Sequence, residues 1–93
     1  MVVGTVRAEI HIPASDSLKA KRSVVSSLKS RIRAKFNVSV AEVDHLELWQ
    51  RAALGIAVVT NDHAFADETL TKVLRLIESE PRLVLLDVFK EIV

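Results

Sequence analysis

The sequence predicts an α+β sandwich in which two helices cover one face of a four-stranded antiparallel sheet. Three observations predict it: strand-like alternation near both ends of the chain, two helical repeats of apolar residues, and a nearly all-apolar segment between those repeats. The predicted order of elements is βαββαβ, and right-handed crossovers would place both helices on the same face of the sheet. The 93 residues, 49% of them hydrophobic, are expected to form a single domain, residues 1–93, with one core.

The first strand and first helix are predicted from opposite periodicities. Residues 5–12 alternate, and Pro13 ends the strand because proline cannot donate to a sheet ladder. Asp16 is expected to cap the following helix, and Asn37 is expected to end it in the left-handed region. The apolar stripe of that helix recurs at spacings of three, four and seven residues, at Leu18, Val25, Leu28, Ile32 and Phe36.

The second half of the chain predicts two strands, a helix and a last strand. Residues 38–43 read as a short strand, and residues 51–60 read as a strand buried on both faces and therefore central. Asn61 and Asp62 are expected to cap the second helix, which ends before Pro81. The last strand, residues 82–93, alternates again, with one face predicted to consist of Val84, Leu86, Val88 and Ile92. These elements predict a ferredoxin-like sandwich with the antiparallel strand order 4-1-3-2.

The charge distribution singles out the first helix. Residues 17–41 carry seven cations and no acid, whereas residues 42–93 carry ten acids against five bases. A solvated helix usually pairs Glu with Lys four residues apart, and this helix has no such pair. We expect its cations to contact RNA phosphates without reading base sequence, through Lys19, Lys21, Arg22, Lys29 and Arg33. The open alternative is a merely solvated face, since charge runs are usually solvated and cations suit the end of a helix.

The second surface of interest is the face of the sheet that the helices leave uncovered. The last strand is expected to present a mixed row there, with three large apolar groups among Leu83, Leu85, Asp87, Phe89 and Glu91. Such a patch is unusual on a monomer. We therefore predict a homodimer formed through this face or through the edge of the last strand, with Trp49, Leu85 and Phe89 in the partner contact. For Trp49, packing as a core or hairpin anchor is the alternative.

Several classes of chemistry find no support in the sequence. The absence of cysteine excludes disulfides and thiolate metal sites, and the three histidines lie in separate elements, so we predict no metal and no cofactor. Neither glycine opens a helix, and the central strands offer no aromatic platform for stacking bases. We expect a protein that is not an enzyme. The chain shows no signal peptide and no segment that could span a bilayer, which indicates a cytoplasmic protein.

Three segments carry a resemblance to a known family: HIPASDSLKAKR, RAKFNVSVAEV and LWQRAALGIAVVTND. In combination they resemble the YlxP-like family of small bacterial proteins of unknown function, from Gly4 to about Ile92. The resemblance implies a ferredoxin-like fold. It also implies a role around RNA or ribosome maturation, because in some bacteria such genes lie near those for transcription and translation factors, including a ribosome-binding factor. The family has no assigned catalytic residues to carry over.

The sequence therefore supports one main hypothesis and two alternatives. The main hypothesis is a non-enzymatic, homodimeric binding module associated with RNA or the ribosome through the first helix. The first alternative is a protein-interaction dimer that does not bind nucleic acid and instead meets acidic proteins. The second is a regulatory domain that binds a small ligand at the dimer interface.

Overall fold

A computed structural model describes all 93 residues, and it contains four strands and two helices. The elements are β1 (Val2–His11), α1 (Leu18–Lys35), β2 (Ser39–Asp44), β3 (Arg51–Thr60), α2 (His63–Glu78) and β4 (Val84–Ile92). The strands form one antiparallel sheet in the order β2-β3-β1-β4. This is the predicted order read from the other edge, so the predicted fold class and topology are confirmed. Neither helix is both long and apolar enough to cross a lipid bilayer.

One apolar core lies between the two helices and the face of the sheet that they cover. It contains 20 buried residues drawn from every element except β4, with half-buried Leu85, Val88 and Ile92 of β4 packed against it. The inward alternation of β1 is as predicted, since Ala8 and Ile10 are fully buried. Each fully buried Leu, Ile or Val contributes roughly 1.5–3 kcal/mol. The apolar stripe of α1 is therefore held in the core, and the opposite side of the helix faces outward.

The ends of α1 differ from the predicted caps. Ser17, with extended backbone, is the N-cap, and its hydroxyl accepts a hydrogen bond from the Ala20 N–H at 3.0 Å. The prediction that Asp16 caps α1 is therefore wrong. The C-cap of α1 is Phe36, whose backbone is also extended because the chain continues directly toward β2. Asn37 accordingly does not adopt the predicted left-handed conformation. At α2 the predicted cap is confirmed, since the Asp62 carboxylate accepts from the Ala64 N–H at 3.0 Å.

A bulge in β4 changes which of its residues face the core. Glu9 of β1 pairs with Asp87, but the next residue, Ile10, pairs with Leu85, so Leu86 is an extra residue. The faces of β4 therefore exchange at this point. Val84 and Leu86, predicted to lie on the core face, are 51% and 49% exposed, whereas Leu85 is half-buried and packs against the core. The prediction that Leu85 contacts a partner is wrong for this reason.

Candidate nucleic-acid interface and the uncovered sheet face

Four cations line one flank of α1, and we call them the basic ridge: Lys19, Arg22, Lys29 and Arg33. Lys19 and Arg22 are exposed, Lys29 is half-buried, and none of these three forms a salt bridge or a hydrogen bond within the protein. With a rise of about 1.5 Å per residue, the ridge extends over roughly 21 Å of the helix. A row of this length is long enough to meet several phosphates of one nucleic-acid strand.

Arg33 differs from the other members of the basic ridge in having a partner inside the protein. Its Nη2 donates to the carbonyl oxygen of Val40 at 2.8 Å, and Val40 lies on β2, at the edge of the sheet. A guanidinium has five N–H donors, so this single bond leaves most of them free. Arg33 remains exposed and forms no ion pair, and it can donate to an anion as well as to β2.

Lys21, in contrast, is removed from the surface. Its side chain is 0% exposed, and Nζ donates to the Glu42 carboxylate at 2.8 Å. Three backbone carbonyls also accept from Nζ, those of His45 at 2.8 Å, Leu46 at 3.1 Å and Arg51 at 3.3 Å. The prediction that Lys21 contacts phosphates is wrong, because its ammonium is fully used in fastening the connection between β2 and β3. Its helical phase gave the signal, since Lys21 precedes Val25, Leu28 and Ile32 by four, seven and eleven residues.

The Lys and Arg side chains that lack an acidic partner lie almost entirely on α1. Of 13 Lys and Arg residues, seven form salt bridges with acids: Arg7, Lys21, Arg31, Arg51, Lys72, Arg82 and Lys90. The other six are unpaired. Five of them lie on α1, namely the basic ridge and Lys35, and only Arg75 lies elsewhere. The unneutralised positive charge of the molecule is therefore concentrated on a single helix.

One end of the uncovered sheet face is occupied by an ion cluster. Glu9 accepts from Arg7 at 2.8 Å and from Arg51 at 3.2 Å, and its second oxygen lies 3.0 Å from His45 Nε2. Arg7 also donates to Asp44 at 2.9 Å. Each charged group of the cluster has an oppositely charged partner, which gives the cluster a structural explanation, although Arg51 Nε is buried without a hydrogen-bond partner.

The pKa values of the two carboxyl groups in this cluster reflect their partners. Burial raises the pKa of Glu9, but hydrogen bonds from Arg7 and Arg51 and the nearby His45 outweigh it, and the net pKa lies below the ordinary value. The pKa of Asp44 is also lowered, first by the hydrogen bond from Arg7 and then by the one from the His45 N–H. Both groups are therefore held as carboxylates, and Glu9 is only 9% exposed within the cluster.

The rest of the uncovered face forms a shallow groove of about 840 Å³. Small side chains line it at Ala41, Gly55 and Ala57, and the exposed side chains of Val43 and Phe89 border it. A Cβ atom on Gly55 would lie only 2.8 Å from Val43 Cγ1, so glycine allows Val43 to lie against the sheet. Phe89 thus lies on the uncovered face, 58% exposed. Trp49 is 55% exposed in the connection between β2 and β3, outside the groove.

Nearly the whole chain matches the model of one known family. Residues 3–89 match the family described as "Protein of unknown function (DUF503)". The chain belongs to the DUF503 family. This DUF503 chain is also 35% identical over 82 residues to the uncharacterized protein YlxP of Bacillus subtilis (strain 168), a match that covers 88% of the chain and 89% of that protein. The resemblance predicted from the three sequence segments is therefore confirmed, and it assigns no activity.

Two solved structures resemble the DUF503 chain in fold. One is a de novo designed protein with ferredoxin fold, LFR1 1, with a TM-score of 0.54 and 12% identity over 99% of the chain and 85% of the designed protein. The other is a C-terminal segment of the alpha subunit of aIF2 from Pyrococcus abyssi, with a TM-score of 0.53 and 21% identity over 90% of the chain. The chain spans about half, 49%, of that segment. At these identities the similarity shows the fold alone.

Proposed function

We propose that this protein is a non-enzymatic module that binds RNA through the basic ridge of α1, in the setting of the ribosome or its assembly. The observation that carries the proposal is the segregation of unpaired cations: five of the six lie on a helix that contains no acid. Lys and Arg that neutralise phosphates release counterions, and this term supplies most of the affinity of non-specific nucleic-acid binding. The expected contacts are therefore with phosphates, and they position the RNA without reading its bases.

The second helix provides the internal comparison that favours a polyanion over solvent. α2 is also a surface helix of similar length, but it mixes charges of both signs and contains a Glu68–Lys72 pair four residues apart, at 2.9 Å. Such pairs are typical of a solvated helix. α1 is longer and carries seven cations, yet its only acidic partners come from outside the helix, Glu42 for Lys21 and Glu80 for Arg31. The excess of cations over acids is specific to α1, and an anionic partner would bind to it.

The proposal assigns the protein no reaction. The titratable groups that gather on the uncovered face already have partners there. Glu9 accepts from Arg7 and Arg51, Asp44 accepts from Arg7, and His45 lies against Glu9. A catalytic acid or base must lie within hydrogen-bond reach of the substrate atom to which it gives, or from which it takes, a proton. The basic ridge offers donors only, which suits binding.

Charge reversal at Arg22 tests the proposal. The Arg22→Glu variant is expected to weaken binding of a fluorescently labelled RNA hairpin by about tenfold, because it removes one phosphate contact and adds repulsion. Affinity should be measured by fluorescence anisotropy at about 50 and about 200 mM KCl, where the wild-type protein should show a strong salt dependence. The double variant Lys19→Glu, Arg22→Glu should bind the RNA hairpin more weakly than Arg22→Glu alone. Neither side chain has a partner inside the protein, so the fold should be unaffected.

The matched control is Arg75→Glu on α2. Arg75 is the one unpaired cation outside α1, it is exposed, and its reversal changes the net charge by the same amount. Its RNA affinity should remain within about twofold of wild type. Equal losses in the two variants would reduce the effect to net charge, and binding that is insensitive to salt would contradict the proposal. No RNA binding at low salt, together with binding of an acidic protein, would favour the first alternative.

A second candidate function, self-association, is favoured by the shape of the uncovered face. We propose that this face pairs with the same face of a second copy around a two-fold axis. In such a contact one patch meets itself, so a projection on the patch must fit a depression on the same patch. Here Phe89 projects and the groove over Ala41, Gly55 and Ala57 is the depression. Each copy would therefore insert its Phe89 into the groove of the other.

The size of the face fits a dimer of this kind. Three strands of nine or ten residues and one of six, about 4.8 Å apart with a rise of about 3.3 Å per residue, give a footprint of roughly 550 Å². The relief of the side chains enlarges this area toward the usual ~800 Å² per partner. The neighbouring ion cluster already satisfies its own charges, so burying its margin leaves no unpaired ion from Arg7 or Glu9.

Sedimentation velocity at high micromolar concentration tests the dimer. The wild-type protein should sediment as a dimer, and Phe89→Asp should sediment as a monomer, because a charge would be forced into the apolar contact. The matched control is Phe65→Asp, which changes an equally exposed phenylalanine on the helix side and should leave the dimer intact. A wild-type monomer at this concentration, or the same shift in both variants, contradicts the dimer.

A further inference from the structure

A second, smaller cleft lies on the helix side of the molecule, at the end of α1. It has a volume of about 330 Å³ and is bordered by the last residue of α1, the segment that follows it, the end of β3 and the first turns of α2. Lys35, Phe36 and Asn37 contribute from one side, and Phe65, Glu68 and Thr69 contribute from the other. The volume is at the lower limit of small-molecule sites and suits a group as large as one nucleobase.

Phe65 supplies the exposed aromatic surface in this cleft. It lies in the first turn of α2 and is 54% exposed, although α2 buries Ala66, Leu70 and Val73 in the core. Phe36, on the other side, is half-buried and packs against the core, which fixes that side of the cleft. A phenylalanine ring that is not needed by the core and borders a cleft offers a face on which a flat base can stack.

The polar groups of the cleft complement such a ligand. Lys35 is an exposed cation without a salt bridge, and it lies at the end of α1 on the flank opposite the basic ridge. Lys72 also borders the cleft, but its ammonium is paired with Glu68 at 2.9 Å. The Asn37 amide can both donate and accept, and the Glu68 carboxylate can accept. One free cation, two hydrogen-bonding side chains and an aromatic ring therefore border the same small space.

We propose that this cleft binds one unpaired base of an RNA strand, with Phe65 stacking on the base and Lys35 contacting the adjacent phosphate. This inference rests on the proposed RNA binding and adds a preference for single strands, because a base within a duplex cannot leave its stack without cost. A carboxylate accepts from the exocyclic amino group of cytosine or adenine. Glu68 therefore favours these bases over uracil, which has a carbonyl oxygen where cytosine has the amino group.

The test compares Phe65→Ala with Phe65→Tyr. Binding should be measured by fluorescence anisotropy for a labelled, unstructured RNA of about 12 nucleotides rich in adenine and cytosine, and for a duplex RNA of the same length. Phe65→Ala should weaken single-strand binding about ten- to hundredfold and leave duplex binding within about twofold, because base–aromatic stacking is lost while phosphate contacts remain. Phe65→Tyr keeps the aromatic face and should bind the single strand like the wild type. A poly-uridine strand should bind the wild type more weakly than the adenine- and cytosine-rich strand.

The outcomes separate this inference from the proposed function. If Phe65→Ala binds the single strand as tightly as the wild type, or if Ala and Tyr weaken it equally, the base site is overturned while RNA binding through the basic ridge stands. Equal losses for single-strand and duplex RNA also overturn it, since stacking does not act on a duplex. If the wild type binds neither RNA, the proposed function itself fails, and the base site with it. Circular dichroism should show unchanged folding, because alanine is a stronger helix former than phenylalanine.

Discussion

Replacing Lys21 with methionine is expected to lower the free energy of unfolding by about 3–5 kcal/mol, the cost typical of removing one partner from a buried ion pair. The substitution leaves the Glu42 carboxylate without its cation, and the carbonyls of His45, Leu46 and Arg51 without their common donor. Methionine fills most of the volume of the lysine side chain, so the loss reports the hydrogen bonds and the charge rather than a cavity. Urea denaturation followed by circular dichroism gives the value.

Two further variants show whether the buried ammonium is the cause. Lys29→Met makes the same chemical change at a half-buried site without internal partners, and it should shift the free energy of unfolding by less than about 0.5 kcal/mol. Lys21→Met combined with Glu42→Leu should recover part of the loss, since the uncompensated carboxylate is then absent. A loss below about 1 kcal/mol for Lys21→Met, or no recovery in the double variant, would show that these bonds contribute little.

Replacing Gly4 with valine is expected to lower the free energy of unfolding by about 2 kcal/mol, through overpacking between β1 and α2. A Cβ atom at Gly4 would lie 3.0 Å from Leu70 Cδ1, 3.2 Å from Val58 Cγ1 and 3.4 Å from Ala66 Cβ. The two additional methyl groups of valine need space that these core neighbours occupy, so α2 must move away from the sheet. Thermal and urea denaturation both measure the loss.

The control for Gly4→Val is Thr5→Val. Thr5 is the next residue of the same strand, and it is exposed on the uncovered face. Thr5→Val leaves the strand with a β-branched residue and should change stability by less than about 0.5 kcal/mol. An equal effect at the two positions, or greater stability of Gly4→Val, would mean that α2 adjusts its position without cost.

Most of the fold could be predicted from the sequence because the apolar periods are unambiguous where one face is buried. The alternation of β1 and the all-apolar β3 fix two central strands, and the bounds of β3, Arg51–Thr60, agree with the prediction. The two helical repeats then leave few possible topologies, since crossovers are short and right-handed. Local chemistry was less decisive at the caps. Ser17 and Asp16 are both good N-caps, and only the geometry of the chain selects Ser17.

The faces of β4 could not be predicted because its first residues are apolar at every position. Val84, Leu85 and Leu86, together with Leu83 just before the strand, fit either phase of the alternation equally well. The phase is decided by pairing with β1, more than seventy residues earlier in the chain, where the bulge at Leu86 brings Leu85 opposite Ile10. The sequence prediction extended one phase of alternation along the whole strand. It is therefore right for Phe89, which lies after the bulge, and wrong for Leu85, which lies before the bulge.

The candidate site shows a similar division. The concentration of cations on α1 is visible in the sequence, because it depends only on composition and helical phase. The helical phase of Lys21 indicates that it faces inward, but the acceptors that stabilise its buried ammonium lie 21 to 30 residues away, and no local pattern reveals them. The cleft beside Phe65 was also missed. It forms where the end of α1 meets the start of α2, and only their packing brings Lys35 and Phe65 together.

The bond from Arg33 to the Val40 carbonyl has a consequence for how the protein resists aggregation. β2 is an edge strand, and the unpaired carbonyls of an edge strand can accept a strand from another molecule and so extend the sheet. The Arg33 guanidinium occupies the Val40 carbonyl and places a charged group along this edge, while the bulge at Leu86 interrupts the opposite edge. Loss of Arg33 would therefore remove both a proposed phosphate contact and a side chain that protects the edge of the sheet. A substitution of Arg22 changes RNA binding without exposing the edge of the sheet, so Arg22 is a better position than Arg33 for measuring RNA binding.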